Sequence, residues 1–245
     1  MPTPSVKIVI LRITLIIALV ELFVMFLLGK WSLDLNPPVE AILDALILVV
    51  LSTPIIYSWV IRPYVIARDE AVAKVTYMAF HDPLTQLANR RLLSEYLQKM
   101  LSRLQRHKHY GAILLIDLDD FKPINDQCGH DVGDAILVEV ATRLRAVMRG
   151  EDIAGRLGGD EFMVLLDALD TDKERAQEYA AQVAQRIQEA INVPIELRDT
   201  YRLGASIGIR VLGDEQLPLE NIIKQADVAM YRAKKRGKGN TVVFE

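Results

Sequence analysis

Two long apolar runs with almost no charge lie within the first sixty or so residues, and they limit the possible folds more than any other feature. The first run, Ile13 to Leu28, is interrupted only by Thr14 and Glu21. Together with the apolar flank from Val6, it reaches the roughly 20 residues that a helix needs to cross ~30 Å of hydrocarbon. The sequence therefore predicts a first membrane-spanning helix at about residues 6–28.

The second run, Ala45 to Ile61, contains Pro54 but no charged residue. Tyr57 and Trp59 lie near one end of it, where amphipathic rings favour the membrane interface. This pattern predicts a second spanning helix at about residues 43–61, so that residues 1–61 form a membrane hairpin. A cleaved signal peptide is the alternative interpretation of the first run, but no clear cleavage site of small residues follows it.

Basic residues flank this hairpin, whereas the short segment between the two runs is net acidic. The flanking basic residues are Lys7, Arg12, Arg62, Arg68 and Lys74. Because cationic loops stay on the cytoplasmic side, the pattern predicts a multi-pass protein of the cell (inner) membrane whose following domain is cytoplasmic. Glu21 is either a pairing residue inside the membrane or a carboxylate with no special role.

Residues 62–80 are polar and helix-prone, with apolar residues at mixed spacings of three, four and seven. They predict a connecting, signalling helix. The segment is too short to establish a coiled coil, which needs three or four heptads, but it could dimerise alongside paired membrane helices.

Charge and cysteine content exclude several classes of protein. The chain of 245 residues has 29 Lys plus Arg against 32 Asp plus Glu, and Cys128 is its single cysteine. One cysteine excludes an intramolecular disulfide scaffold and a cysteine-rich metal module. The nearly balanced charge lacks the basic excess of proteins that neutralise many phosphates, so we expect no nucleic acid polymer as a partner.

After residue 80 the spacing of apolar residues alternates between helical and strand-like segments. The predicted helices follow Asn89, cover Asp134–Met148 after a glycine-containing loop, start at a capping-box pattern of Thr171 and Glu174, and cover Leu219–Lys235. The predicted strands are Ala112–Ile116, Ile153–Leu157, Glu161–Leu166, Leu203–Val211 and Thr241–Phe244. This order predicts an α+β fold on the ferredoxin-like, split βαβ plan.

Acidic residues stand at two strand ends that a shared sheet would bring together. Asp117 follows the first predicted strand, and Asp160 and Glu161 follow the Gly158-Gly159 turn of a predicted hairpin. Converging carboxylates suit a hard divalent cation that works on phosphate groups, and two glycines let the backbone approach a bulky anion. The alternative is that these acids are solvated strand ends.

Six segments carry motifs that resemble those of one family. They are residues 82–91 (DPLTQLANRR), 117–126 (DLDDFKPIND), 129–134 (GHDVGD), 158–162 (GGDEF), 205–208 (ASIG) and 226–234 (ADVAMYRAK). In this order and spacing they resemble the GGDEF family, the diguanylate cyclases, from about His81 to the C-terminus. The resemblance implies that residues 81–245 form a palm-type GGDEF domain with a central, mainly antiparallel sheet.

The resemblance also implies a reaction, in which two GTP molecules give cyclic di-GMP and two pyrophosphates in a homodimer. Asp117, the main-chain carbonyl of Leu118 and Asp160 would hold Mg²⁺ (or Mn²⁺). Asp160 would also accept the proton of the attacking ribose 3′-hydroxyl, and Glu161 is a further metal or base candidate. Lys122 would balance charge that develops on the phosphates.

Further positions match the substrate contacts of the family. Asn125 and Asp134 match the residues that bind guanine, and His130 and Phe121 are further substrate contacts. Lys234 and Lys238 match phosphate contacts, although Gly239 is an extra residue in the final Gly-Lys-Gly-Asn cluster. An exposed basic helix end is the alternative for Lys238.

Arg149 and Asp152 resemble the inhibitory site of the family, at which cyclic di-GMP acts as a feedback inhibitor. An Arg can grip a phosphate or guanine with two donors, and a surface Arg–Asp pair is the alternative. For the whole protein, the alternatives to a membrane-bound cyclase are an inactive GTP or cyclic di-GMP receptor and a related enzyme that uses another nucleoside triphosphate.

Overall fold

The structure is a computed structural model that describes residues 6–30, 36–213 and 217–245. It divides into two compact units, one ending at Tyr77 and the other beginning at Met78. Each unit is described by itself.

Helices make up the described part of the N-terminal unit. Helix α1 covers Val6–Lys30 and α2 covers Pro37–Ile56; a π-helical turn, Tyr57–Ile61, then leads into α3, Arg62–Phe80. The π turn follows Pro54, which lacks the N–H that a regular helical ladder requires. By length and composition, two stretches of the described residues, Lys7–Leu28 and Pro37–Phe80, are apolar enough to cross a membrane.

A six-stranded mixed sheet forms the centre of the C-terminal unit, in the order β1-β3-β4-β2-β7-β8. Its strands are β1 Ala88–Asn89, β2 Tyr110–Asp119, β3 Ile153–Gly158, β4 Glu161–Asp170, β7 Gly204–Leu212 and β8 Thr241–Val243. The four central strands pair antiparallel, and both edge strands pair parallel to their neighbours. The predicted α+β fold with a mainly antiparallel sheet is confirmed.

The described residues of this unit also form five helices, which pack around the sheet. They are α4 Arg90–His107, α5 Phe121–Cys128, α6 His130–Val147, α7 Lys173–Asn192 and α8 Leu219–Lys235. A separate small hairpin pairs β5, Ile195–Glu196, with β6, Thr200–Tyr201.

Strand β2 is buried on both faces because helices cover each side of the sheet. Its even-numbered side chains, such as Leu114 and Ile116, pack in one core with residues of α6 and α7. Its odd-numbered side chains, such as Ile113 and Leu115, pack in a second core with residues of α4 and α8. This alternation assigns Asp117 and Asp119 to the α4 and α8 side.

Several local expectations differ from the structure. Strand β2 continues through Asp117 and Asp119, and α5 occupies most of the segment that we expected to be a loop. The N-cap of α7 is Asp172, whose carboxylate accepts from the Arg175 N–H at 3.0 Å, and not Thr171. Asp and Thr are both good N-caps, so the neighbouring candidates are not separated by residue type.

Gly208 of β7 lies at a very close contact between the sheet and α8. A Cβ atom at this position would lie 2.2 Å from both the Ala226 carbonyl oxygen and the Met230 nitrogen. These are backbone atoms of a helix, so they cannot move aside without shifting α8.

We expect Gly208→Ala to destabilise the domain by about 1–3 kcal/mol or more, because it overpacks the contact with α8. The thermal unfolding midpoint of the purified chain, followed by circular dichroism, should fall by several degrees. Gly150→Ala is the matched control, since a Cβ there meets no atom within 4 Å. Equal midpoints for the two variants would contradict the close approach of α8.

Candidate functional site

The end of β2 places two carboxylates in the middle of the sheet. Asp117 lies directly opposite Glu161 of β4 on one side and Ser206 of β7 on the other. Asp119 follows on the same face. Asp117 is flanked by a strand on each side, whereas Asp119 pairs only with Gly204 of β7. The two acids are 7% and 5% exposed respectively.

The diglycine turn brings Asp160 to the same end of the sheet. Gly158 and Gly159 have φ values of +144° and +55°, conformations that side chains rarely adopt. The Leu118 N–H donates to the Asp160 carbonyl oxygen at 3.2 Å, just beyond the β2/β4 ladder. Asp117, Leu118 and Asp160, which the sequence predicted to act together, therefore meet at one rim.

Burial and neighbouring charges set the electrostatics of Asp117. Burial raises the pKa of Asp117, the Lys234 ammonium at 2.6 Å lowers it, and the charges of Asp160 and Glu161 raise it again, so the net shift is upward. A buried carboxylate beside two further acids favours a positive partner.

This donor set fits a magnesium ion. In the part of the chain that the structure describes, no group of three His, Cys, Asp or Glu side chains is arranged to hold a metal. Mg²⁺ does not need such a cage, because it commonly binds one or two carboxylates together with substrate phosphates and water. Asp117, Asp160 and the Leu118 carbonyl supply oxygen donors of this kind.

Helices α5 and α6 bring together the residues that match guanine contacts. The Asn125 amide nitrogen lies 3.1 Å from His130 Nδ1. The Asn125 side chain packs closely over Gly133, where a Cβ would lie 2.3 Å from its Oδ1. Asp134 follows Gly133 and is exposed. Asn125, His130 and Asp134 therefore share one corner of the domain, with amide, imidazole and carboxylate groups.

The first turn of α5 presents one of its two predicted substrate residues through its side chain. Lys122 is exposed. The Phe121 side chain is 8% exposed and packs in the core with α6 and α7. Any contact between Phe121 and a ligand would therefore be made by its main-chain atoms.

Two lysines near the C-terminus contact acids at the end of β2. Lys234 of α8 contacts Asp117 at 2.6 Å, and Lys238 contacts Asp120 at 2.6 Å. The hydrogen bond to Asp120 raises the pKa of Lys238. Both ammonium groups thus lie at the same end of the sheet as Asp117.

Arg149 and Asp152 form a tight turn just before β3, at the end of that strand opposite to the diglycine turn. The Asp152 carboxylate accepts from the Arg149 N–H at 3.1 Å, and the Asp152 N–H donates to the Arg149 carbonyl at 3.2 Å. Burial raises the pKa of Asp152, although the Arg149 amide lowers it. The Arg149 guanidinium lies 4.4 Å from the centre of the Tyr179 ring, within the range of a cation–π contact.

Arg156 is a structural link that the sequence did not indicate. Its Nε and Nη2 donate to the Gly159 carbonyl at 2.9 and 2.8 Å, and its Nη1 lies 3.3 Å from an Asp82 oxygen. Asp82 also accepts from the Thr85 N–H and hydroxyl at 2.8 and 2.7 Å. Arg156 therefore ties the diglycine turn to the residues that follow α3.

Comparison with known proteins identifies the domain. Residues 79–240 match the family model described as the diguanylate cyclase, GGDEF domain. The chain belongs to the GGDEF family. This agrees with the mixed central sheet, the diglycine turn and the acids at the end of β2.

Relatives of the GGDEF domain include several signalling enzymes. The chain is 41% identical over 188 residues to the bifunctional diguanylate cyclase/cyclic di-GMP phosphodiesterase MucR of Pseudomonas aeruginosa, covering 75% of this chain and 26% of MucR. It is 37% identical over 190 residues to the diguanylate cyclase TpbB of the same organism, covering 77% of this chain and 41% of TpbB. The chain thus spans about a quarter to two fifths of these two relatives.

Solved structures confirm the fold. The GGDEF domain of TpbB superimposes with a TM-score of 0.63 at 36% identity, over 67% of this chain and 94% of that structure. The diguanylate cyclase SiaD from Pseudomonas aeruginosa, solved with its activator SiaC, gives a TM-score of 0.63 at 28% identity, over 96% of this chain and 85% of that structure.

The Asp82 ion pair should contribute to stability in a pH-dependent way. Burial raises the pKa of Asp82, but the hydrogen bonds from Thr85 and the charge of Arg156 together lower it by more. The net pKa is therefore below its usual value of 3.8. A depressed carboxyl pKa contributes stability that is present above pH 3.8 and is lost as the pH falls through the lower folded value.

We expect Asp82→Asn to lower the free energy of unfolding at pH 7 by about 1.5–3 kcal/mol, the range for hydrogen bonds to charged groups. The difference from the native chain should shrink in chemical unfolding measured below pH 4. Asp199→Asn, a matched change in an exposed loop, should show neither effect. A constant difference between pH 3 and pH 7 would exclude the ionised carboxylate as the cause.

Proposed function

We propose that this protein is a membrane-bound diguanylate cyclase that converts two GTP molecules to cyclic di-GMP and two pyrophosphates. The observation that carries the proposal is the buried Asp117, opposite Glu161 and beside the diglycine turn of Asp160, with the Lys234 ammonium 2.6 Å away. The similarity to MucR and TpbB, both of which are diguanylate cyclases, supports the same reaction.

Asp117 and Asp160, with the carbonyl of Leu118, would hold Mg²⁺ (or Mn²⁺). When bound, the cation polarises the α-phosphate of GTP and favours attack by the ribose 3′-hydroxyl of the second GTP. Asp160 accepts the proton of that hydroxyl, or passes the role to Glu161, since a carboxylate that binds a metal is a weaker base.

The lysines balance the negative charge of the triphosphate. Lys234 reaches Asp117, so its ammonium is also within reach of phosphates that lie against that acid. Lys238, from the loop after α8, and Lys122, from the first turn of α5, approach the same end of β2. Pyrophosphate, the leaving group, gains charge as the phosphodiester bond forms, and these cations stabilise it.

Guanine would bind at the α5–α6 corner. The Asp134 carboxylate can accept from the guanine N1–H and amino group, and the Asn125 amide can both donate and accept. His130 lies 3.1 Å from Asn125 and orients that amide or contacts the base itself. A donor–acceptor edge of this kind distinguishes guanine from adenine.

The reaction requires two copies of the domain, because each copy binds one GTP and two phosphodiester bonds must form. The two apolar helical stretches would anchor the protein as a hairpin in the inner membrane, with the catalytic domain at residues 81–245 in the cytoplasm. Residues 62–80 would act as the signalling helix that changes how often the two half-sites meet, which is a shift of populations.

Product feedback would act at Arg149 and Asp152. Both residues lie just before β3, whereas the diglycine turn begins at the last residue of that strand, about 20 Å away for a six-residue strand. A cyclic di-GMP molecule gripped there by the guanidinium fork leaves the triphosphate site of the same domain free.

We expect Asp160→Asn to lower the rate of cyclic di-GMP formation from GTP and Mg²⁺ by at least about a hundredfold, because it removes a metal donor and a proton acceptor. Product is measured by chromatography over a range of protein concentrations. Asp199→Asn should retain the native rate. If the native chain forms no product at any concentration, the diguanylate cyclase proposal is rejected.

Arg149→Ala should raise the concentration of cyclic di-GMP needed for half-maximal inhibition by about tenfold, because it removes a bidentate, charge-assisted contact. The uninhibited rate should stay near that of the native chain. Arg106→Ala, an exposed arginine in the last turn of α4, is the control. Unchanged inhibition in Arg149→Ala would reject the feedback site.

A further inference from the structure

The additional glycine of the C-terminal loop makes a contact that the proposed reaction does not use. Gly239 lies in the segment Gly237–Asn240, between α8 and β8, and its N–H donates to Oδ2 of Asp119 at 2.8 Å. Gly239 has a φ of +59°, which a glycine adopts without strain. The extra residue thus joins the loop to β2.

Asp119 is a buried carboxylate with a separate donor for each oxygen. The Ser206 hydroxyl donates to its Oδ1 at 2.8 Å, and the Gly239 amide donates to its Oδ2. Asp119 is 5% exposed and Ser206 is 0% exposed. Gly204 leaves room for the carboxylate, since a Cβ there would lie 3.0 Å from Oδ2. A buried carboxylate is costly unless it is hydrogen-bonded, and two neutral donors meet that need here.

This environment differs from that of Asp117, two residues earlier on the same face. Asp117 contacts the ammonium of Lys234, a group on a long side chain that can move to a phosphate. Asp119 contacts a backbone amide and a buried serine, neither of which can leave without moving a strand or a loop. The two acids therefore suit different tasks, one at the metal and one in the scaffold.

Lys238 depends on the same loop for its position. Its φ of +61° is uncommon for a residue with a side chain and persists only where the surroundings fix it. The Asn240 side-chain amide donates to its carbonyl at 2.7 Å. The ion pair of Lys238 with Asp120 is 54% and 60% exposed, and such surface pairs contribute little. The hydrogen bond of Gly239 to the buried Asp119 carboxylate is thus an anchor that the exposed ion pair does not replace. It acts together with backbone hydrogen bonds of Lys238 to α8 at 3.3 Å and of Asn240 to β7 at 2.9 Å.

We propose that Asp119 is a positioning residue for the triphosphate: with Ser206 it holds the Gly239 amide, and through it the loop that presents Lys238 to the phosphates. The inference rests on the proposed function, because it assumes that Lys238 contacts substrate. A loop that is held in place before binding loses less conformational freedom on binding, so we expect the contact to increase the affinity for the triphosphate.

Two substitutions of Asp119 separate this role from others. Asp119→Ala should raise the KM for GTP about tenfold and change kcat by less than about threefold, because the loop is released and the metal donors remain. Asp119→Asn should keep the KM within about threefold of the native value, since its Oδ1 accepts from Gly239 and its Nδ2 donates to Ser206. Asp199→Asn is the matched control.

Two readouts do not require turnover. In isothermal titration of the full chain with inorganic pyrophosphate and Mg²⁺, Asp119→Ala should weaken binding about tenfold and Asp119→Asn should not. Hydrogen exchange of the peptide that covers residues 236–241 should be faster in Asp119→Ala than in the native chain. If the native chain binds pyrophosphate but forms no cyclic di-GMP, the proposed function fails while the positioning role is still measured.

Several results would overturn the inference. One is an Asp119→Asn variant as impaired as Asp119→Ala, or with a shifted Mg²⁺ requirement, because either would make Asp119 a charge donor to the metal. Another is a fall in kcat with an unchanged KM. If Asp119→Ala does not fold, Ser206→Ala serves as the second variant; it should raise the KM and speed exchange at residues 236–241, and native values for both would reject the role.

Discussion

The pairing of β2 with β4 on one side and β7 on the other is the constraint on which the site depends. This register sets Asp117 opposite both Glu161 and Ser206, and it directs Asp117 and Asp119 to the face that α8 covers. A slip of one residue would turn both carboxylates into the opposite core, among the side chains of α6 and α7. Because β2 is apolar on both faces, an alternation of polar and apolar residues does not fix its register. The register is fixed by how its side chains fit into the two separate cores.

Two acids on one strand face show how neighbours assign different properties to the same side chain. Asp117 has a raised pKa because burial and two further acids outweigh one ammonium. Asp119 has a donor for each oxygen and joins three parts of the chain that are distant in sequence. Both aspartates lie in one short sequence motif. Only the folded structure shows that Asp117 has a partner on a mobile side chain, whereas the partners of Asp119 are fixed.

Sequence patterns predicted the segments whose own residues carry the signal. Helix α8 has the predicted bounds, Leu219–Lys235, because its apolar spacing is regular and its last turn is basic. The hairpin around Gly158 and Gly159 was equally clear. The helical character of α5 was not, since a short helix with an internal proline resembles a loop. Contacts between distant segments, such as Arg156 with Asp82, leave no local pattern, so neither that ion pair nor the bond from Ser206 to Asp119 could be inferred.

The contact at Gly208 has a consequence for the motion of α8. Backbone meets backbone there, with no side chain between them that could act as a compressible spacer. Rolling or sliding of α8 on the sheet would therefore bring backbone atoms into steric overlap after a very small displacement. Lys234 belongs to this helix, so the backbone position from which its side chain extends is fixed. Its travel between an acid and a phosphate comes from its own four side-chain torsions, which rearrange within nanoseconds, and not from slower displacement of the helix.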